Sequence, residues 1–392
     1  LPISDRAKEM PVSGIRKLIP FAKEAEKKGK KIIKLNIGQP DLETPNWFKD
    51  AIINHQDKVV KYADSKGYLP LRQAFSKQYK ELGIDLTEDE IMITQGGSEG
   101  IIFMALAICN EGDEIIVVEP FYSNYSTFFN FARAKPVAVK TKVEEGYHLP
   151  KREEIEKLIN KKTKAIIYTS PSNPTGCILR NDEVKMLGDI ALKHNLWIIG
   201  DEVYRYFIFD DEILKDYKSI MCYPEFRNNA VMIDSVSKHY SACGARVGFL
   251  CTHNKELLQV IYKFCLSRLC APMIEQIGST ALLGLPKEFY EEQRQIYKKR
   301  KDTVVEGLKK IQGVRYTEPE GALYIFPELP IDDSSKFCQW MITDFEYKGK
   351  TVMVSPGTGF FIEKEDGKKF IRISYCVNEN ELKEAIELLG MA

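Results

Sequence analysis

What the sequence lacks narrows its class first. It carries no excess of either charge: lysine plus arginine and aspartate plus glutamate number 56 each in 392 residues. Bulk charge therefore gives no reason to expect nucleic acid or an anionic membrane as a partner. The longest clean apolar run near a helical pattern is Ile101 to Cys109, far short of the roughly 20 residues that span a bilayer. The nine cysteines, an odd number, run from Cys109 to Cys376 without a C-x-x-C pair. This argues against a disulfide framework or a zinc-type site and for reduced thiols; no metal is expected. No charged n-region followed by an apolar h-region opens the sequence, so the cytoplasm is the expected compartment. Internal repeats, low-complexity tracts and a GxGxxG fingerprint are missing too. What remains is 44% hydrophobic and 29% charged, a globular composition in a chain too long for one ordinary core.

The hydrophobic pattern alternates between strands and helices. Residues Pro2 to Lys31 read as an arm and an amphipathic helix, with Ile15, Leu18, Phe21 and Ala22 at helical spacing. A short strand at 32–37 then stops at Gly38-Gln39-Pro40-Asp41, a turn that exposes backbone N–H groups. From Glu88 a strand, loop and helix unit recurs, with strands at 91–94, 114–118, 165–169, 196–200 and 230–233. Apolar strands alternating with helices predict an α/β fold, a mostly parallel sheet sandwiched by helices. Ligands of such sheets bind beyond the carboxyl ends of the strands, where each polar cluster of this sequence falls. A charged helix from Pro286 to about Lys310 reads as a connector, and strands at 323–326 and 370–374 alternate with helices after it. The expected division is a large domain over 47–290 and a smaller α+β domain from 1–46 and 291–392.

Chemistry concentrates in Asp234 to Gly248, which follows the apolar run Ala230 to Ile233. A lysine just past a buried strand, here Lys238, is a Schiff-base candidate, because burial and nearby cations lower its pKa and free the amine. The bland alternative is a solvated loop lysine. Ser235 and Arg246 around it suit a phosphate, a hydroxyl plus a planar fork. The decisive question is whether the other parts of a pyridoxal phosphate site occur elsewhere. A ring nitrogen kept protonated needs a buried carboxylate; Asp201 ends an apolar strand and fits, although the same residue type also caps helices. Asn173, in an Asn-Pro-Thr-Gly turn, and Tyr204 could donate to the phenolic oxygen. Gly97 and Ser98, in a Gly-Gly-Ser loop expected to open a helix at Gly100, offer backbone N–H groups to the phosphate. Tyr122 is the candidate for the ring's face.

Each signal is modest alone; in this order and at these spacings they are specific. The chain resembles, over nearly its full length, the class I/II aminotransferases among the fold-type I pyridoxal-phosphate enzymes, the aspartate aminotransferase superfamily. The matching motifs are Ser235-x-x-Lys238 with Arg246, Asp201-x-x-Tyr204, Asn173-Pro-Thr-Gly176 and Tyr62-x-x-x-x-Gly67-x-x-x-Leu71-Arg72. Further matches are Glu318 to Tyr324 and the Ser355-Pro356-Gly357 loop through Phe360. The resemblance implies that Tyr62 reaches the phosphate of a neighbouring subunit, so a homodimer with shared sites. It also implies that Arg372 grips the substrate α-carboxylate, helped by backbone near Gly38 and by Asn173.

The resemblance implies a ping-pong transfer of an amino group from an L-amino acid to a 2-oxo acid, with Lys238 holding the cofactor and then moving the Cα proton. An acidic donor, aspartate or glutamate, needs a second cation. Some members carry a lysine where this chain has Ser98, and Leu266 stands nearest to an arginine of the animal-type enzymes. Arg268 and Arg16 are the candidate readers of a distal carboxylate. Aromatic or small apolar donors, and a lyase or synthase on the same fold, are the alternatives. A regulator with an added DNA-binding segment is disfavoured by length and charge balance.

Overall fold

The computed structural model describes residues 1–10 and 16–392, apart from the side chains of Arg6 and Glu9. Gly14 and Ile15 of the arm therefore lie outside the described residues. The strands are, in chain order, β1 (Lys31–Lys34), β2 (Ile91–Thr94), β3 (Glu114–Glu119), β4 (Lys135–Lys140), β5 (Thr163–Thr169), β6 (Trp197–Asp201), β7 (Ala230–Ser235), β8 (Gly248–Cys251), β9 (Tyr324–Ile325), β10 (Lys350–Met353), β11 (Ser355–Pro356) and β12 (Ile371–Ser374).

Seven of them form one sheet in the order β2-β8-β7-β6-β5-β3-β4. Pairing is parallel from β7 across to β4, and β8 runs antiparallel to both of its neighbours. The sheet is sealed on both faces, as parallel sheets require. Alternation along the strands divides the faces: Val231, Ile233, Ile199 and Leu250 pack with the helices Gly96–Ile108 and Lys255–Arg268. Ala230, Met232, Ile198 and Phe249 pack with the helices Leu69–Glu81 and Asn181–Lys193 on the other side.

The remaining strands make two small sheets, β1 with β10 in parallel and the antiparallel order β11-β12-β9. Their apolar residues share a third cluster with the helices Lys287–Leu308, Ser334–Thr343 and Glu379–Met391. Residues from both ends of the chain thus pack together, and Tyr204 and Phe207 of the loop after β6 join them. Among the described residues no helix is long and apolar enough to cross a membrane.

Candidate active site

The carboxyl ends of β6 and β7 open onto a cavity of about 610 Å³ lined by residues from most of the motifs singled out above, but by none from the Tyr62 block or the loop from Ser355 through Phe360. Lys238, three residues beyond β7, is half-buried and donates from Nζ to the carbonyl oxygen of Gly38 at 2.7 Å. The ring of Tyr204 lies 5.9 Å from the same Nζ. Gly38 is required for this approach, because a Cβ there would come within 1.8 Å of Tyr324 Oη.

The expected lowering of the Lys238 pKa does not occur. Burial does favour the neutral amine, but the phenols and thiols of Tyr324, Cys243, Tyr122 and Cys376 outweigh it, and the pKa lies above its ordinary value. The cations are turned elsewhere: Arg246 donates to the carbonyls of Cys243 and Gln95. Arg372 donates to Asn173 Oδ1 at 2.9 Å and to the carbonyl of Asn36 at 2.8 Å.

Asp201 is the last residue of β6 and is buried. Burial pushes its carboxyl up to about 6, against the hydrogen bond from Tyr125. Tyr125 Oη donates to Oδ2 at 2.6 Å, while Oδ1 has no partner. Tyr125, itself buried, was missed in the sequence; Tyr122, three residues earlier, lines the cavity and meets the Tyr125 ring edge-on. Tyr204 Oη pairs with Tyr324 Oη at 2.8 Å. Arg372 is buried, with its Cζ 4.4 Å from the Tyr324 ring centroid, and its Nε is unpartnered. Asn36 Oδ1 is likewise buried and without a partner. Buried polar atoms are nearly always hydrogen-bonded, and these three exceptions belong to residues of one cavity.

The helix after β2 begins at Gly96, not Gly100, so Gly96, Gly97 and Ser98 form its first turn. Gly96 takes a left-handed φ of +73° that glycine tolerates. The first N–H groups of a helix have no partner within it, and Gly97 and Ser98 line the cavity with Ser235 and Arg246. Glu99 closes the turn by accepting from the backbone N–H of Gln95 at 2.8 Å.

Two expectations about outlying residues part ways. Arg268 does not reach the cavity: its guanidinium bonds Glu99 at 2.6 Å and the carbonyls of Ser65 and Ile93. Within its own chain the Arg268 guanidinium is held by the Glu99 carboxylate that faces it. Arg16 does line the cavity and is exposed. Tyr62 is 78% exposed and lies outside this cavity.

The residues fit pyridoxal phosphate: an amine for its aldehyde, an unpartnered carboxylate oxygen for a ring N–H, and a helix start with a hydroxyl and a guanidinium for its phosphate. Fold and site together are those of a fold-type I pyridoxal-phosphate enzyme. The profile of the family "Aminotransferase class I and II" matches residues 30–389, and the chain belongs to that family as a pyridoxal-phosphate-dependent aminotransferase. It is 31% identical over 375 residues to a probable aspartate/prephenate aminotransferase of Aquifex aeolicus, covering 95% of this chain and 93% of that one. It is 31% identical over 392 residues to aromatic-amino-acid aminotransferase 2 of Thermococcus litoralis, covering 98% and 96%. The crystal structure of aspartate aminotransferase from Thermotoga maritima superposes with a TM-score of 0.90 at 31% identity, covering 99% of each chain.

Proposed function

We propose that this aminotransferase takes its amino group from an acidic L-amino acid, aspartate first. The observation that carries the reading is a single cavity holding Lys238, the unpartnered Asp201 Oδ1 and Arg372 Nε, and, besides Arg372 and Arg246, a third guanidinium, Arg16. Bound pyridoxal phosphate supplies an aldehyde carbon and a protonated ring that draws electrons from the substrate Cα. Asp201 accepts the ring N–H, with Tyr125 fixing the carboxylate. Tyr204 and Asn173 donate to the phenolic oxygen, and Tyr122 covers the ring. The N–H groups of Gly97 and Ser98 hold the phosphate with Ser235, Arg246 and the partner subunit's Tyr62. Lys238 would hold the cofactor through its aldehyde carbon, with water leaving as that bond forms, and its amine, once displaced by the donor's amine, would take and return the Cα proton.

Arg372 grips the α-carboxylate with the donors that Asn173 and Asn36 leave free, beside Gly38. Arg16 reads the distal carboxylate, and the relatives named for aspartate support that choice. A second reading, aromatic or apolar donors, is favoured by Ile19 and Ile37 in the cavity wall and by the Thermococcus relative. Exposed Val59, Val60 and Tyr62 on one stretch support a homodimer that covers them. The separate sheets support a division into 47–290 and 1–46 with 291–392.

The test is Arg16→Ala with a panel of donors. A charge-assisted hydrogen bond of about 1.5–3 kcal/mol corresponds to roughly a 10–150-fold loss in kcat/KM for aspartate, with alanine and phenylalanine changed little. Equal losses for all donors would remove Arg16 as the side-chain reader.

A further inference from the structure

Next to Asp201 and next to Ser235 lie two buried carboxylates that no step above uses. Glu202 follows Asp201 at the end of β6, and Asp234 precedes Ser235 on the neighbouring strand β7. Both are at most 2% exposed, and Arg205, 5% exposed, stands between them. Arg205 Nη2 donates to Glu202 Oε2 at 2.5 Å, and its Nε lies 3.4 Å from Asp234 Oδ2, too poorly aligned for a hydrogen bond. Glu202 Oε1 also accepts from Ser219 Oγ at 2.9 Å and from the Ile220 N–H at 3.2 Å. Asp234 Oδ2 accepts from Tyr79 Oη at 3.2 Å, and its Oδ1 takes the backbone N–H of Ser235 at 2.7 Å.

The unit holds more negative than positive charge when fully ionised, and its surroundings do not correct this. Burial keeps the phenols of Tyr79, Tyr168, Tyr206 and Tyr217 and the thiols of Cys222 and Cys251 above their ordinary values, hence neutral. Burial and Arg205 push His239 down to about 3, so it is neutral as well. Arg205 is thus the sole counter-charge of the cluster among these groups. Removing one partner of such a buried set leaves charges that must protonate or move. Any movement is passed directly to Asp201 through the chain and to Ser235 through its N–H.

Resting on the active-site reading above, we propose that Glu202, Arg205 and Asp234 form a buried positioning unit that holds Asp201 and Ser235 in register and so sets how tightly pyridoxal phosphate is retained. These residues act through their neighbours and touch neither cofactor nor substrate.

The experiment uses holoenzyme of the wild type, R205M, R205K and E202Q. It measures the rate of cofactor loss on dilution, the pH midpoint of the bound cofactor's visible band, kcat, KM, and melting of the cofactor-free protein. The expected result is cofactor loss at least tenfold faster in R205M, with kcat reduced at least tenfold and KM within threefold. R205K, which keeps the charge but loses the fork, should recover part of the retention. E202Q should move the pH midpoint, because the Glu202 charge acts on Asp201. R205M that melts earlier yet retains cofactor at the wild-type rate would overturn the proposal. Should R205M not fold, wild-type retention and midpoint in both R205K and E202Q would overturn it. Wild-type protein that binds no pyridoxal phosphate would defeat the active-site reading itself, whereas variants that match a loaded wild type defeat this inference alone.

Discussion

Two side chains decide most of the chemistry at the scale of single residues, and each gives a prediction. Asp201 faces the cavity with one oxygen fixed by Tyr125 and the other unpartnered. Asp201→Asn removes the carboxylate while keeping its size, and kcat should fall by at least roughly 100-fold, the usual scale for a positioned acid or base. A fall of less than threefold in steady-state kcat would show that Asp201 does not serve the ring nitrogen. Arg372 is buried and braced by Asn173 and Asn36. Arg372→Ala should lower kcat/KM by about 100-fold or more for every donor, since charge-assisted hydrogen bonds to a carboxylate are worth about 3 kcal/mol. A loss confined to acidic donors would exchange its role with that of Arg16. Much at this scale was legible because the motifs place polar residues right after apolar strands. Tyr125 was not, because a buried tyrosine and a core phenylalanine have the same sequence signature until the partner carboxylate is seen. The ion pair of Arg268 with Glu99 was not legible either, because spacing alone does not show it.

Among the elements, the seat of the first helical turn is the most exacting. Gly248, at the start of β8, lies so close that a Cβ would come within 2.3 Å of the Gly96 carbonyl carbon and 2.5 Å of the Gly97 nitrogen. Gly248→Ala must push that turn outward at an overpacking cost of about 1–3 kcal/mol. The dissociation constant for pyridoxal phosphate should rise roughly tenfold, which a fluorescence or absorbance titration would measure; an unchanged constant would separate this turn from the phosphate. The buried strands of the large sheet were readable as apolar runs, and their ends agree with the structure to within about two residues. β4, Lys-Pro-Val-Ala-Val-Lys, was overlooked because proline and flanking lysines disguise an edge strand. β10 and β11 were overlooked as well. The antiparallel direction of β8 depends on its pairing with β2 and β7, which no local pattern encodes.

For the molecule as a whole, buried acids fix how stability responds to pH. Burial pushes Asp201 and Asp234 up to about 6, above the roughly 3.9 of an unfolded aspartate. Between about pH 4 and pH 6 the folded cofactor-free protein retains these protons and the unfolded chain does not. Each group therefore removes about 1.4 kcal/mol of stability per pH unit as pH rises across that window, and nothing further above it. His239, pushed down to about 3, acts in the opposite sense, since the unfolded imidazole binds a proton below about 6.5. Asp234→Asn removes one of the two raised acids, so from pH 4.5 to pH 6 the Tm of the cofactor-free variant should fall less, or rise more, than that of the wild type. A rising Tm that becomes flatter in Asp234→Asn would contradict this. The most direct measurement concerns the pairing of Lys238 with pyridoxal phosphate in a transaminase half-reaction. Wild type and Lys238→Ala are loaded with pyridoxal phosphate, and absorbance is followed as single amino acids are added without a 2-oxo acid. The expected result is a visible band in the wild type that aspartate converts to the pyridoxamine form, with one 2-oxo acid released per site, and no such turnover in Lys238→Ala. No visible band in the wild type, or equal conversion by both proteins, would contradict the assignment of Lys238.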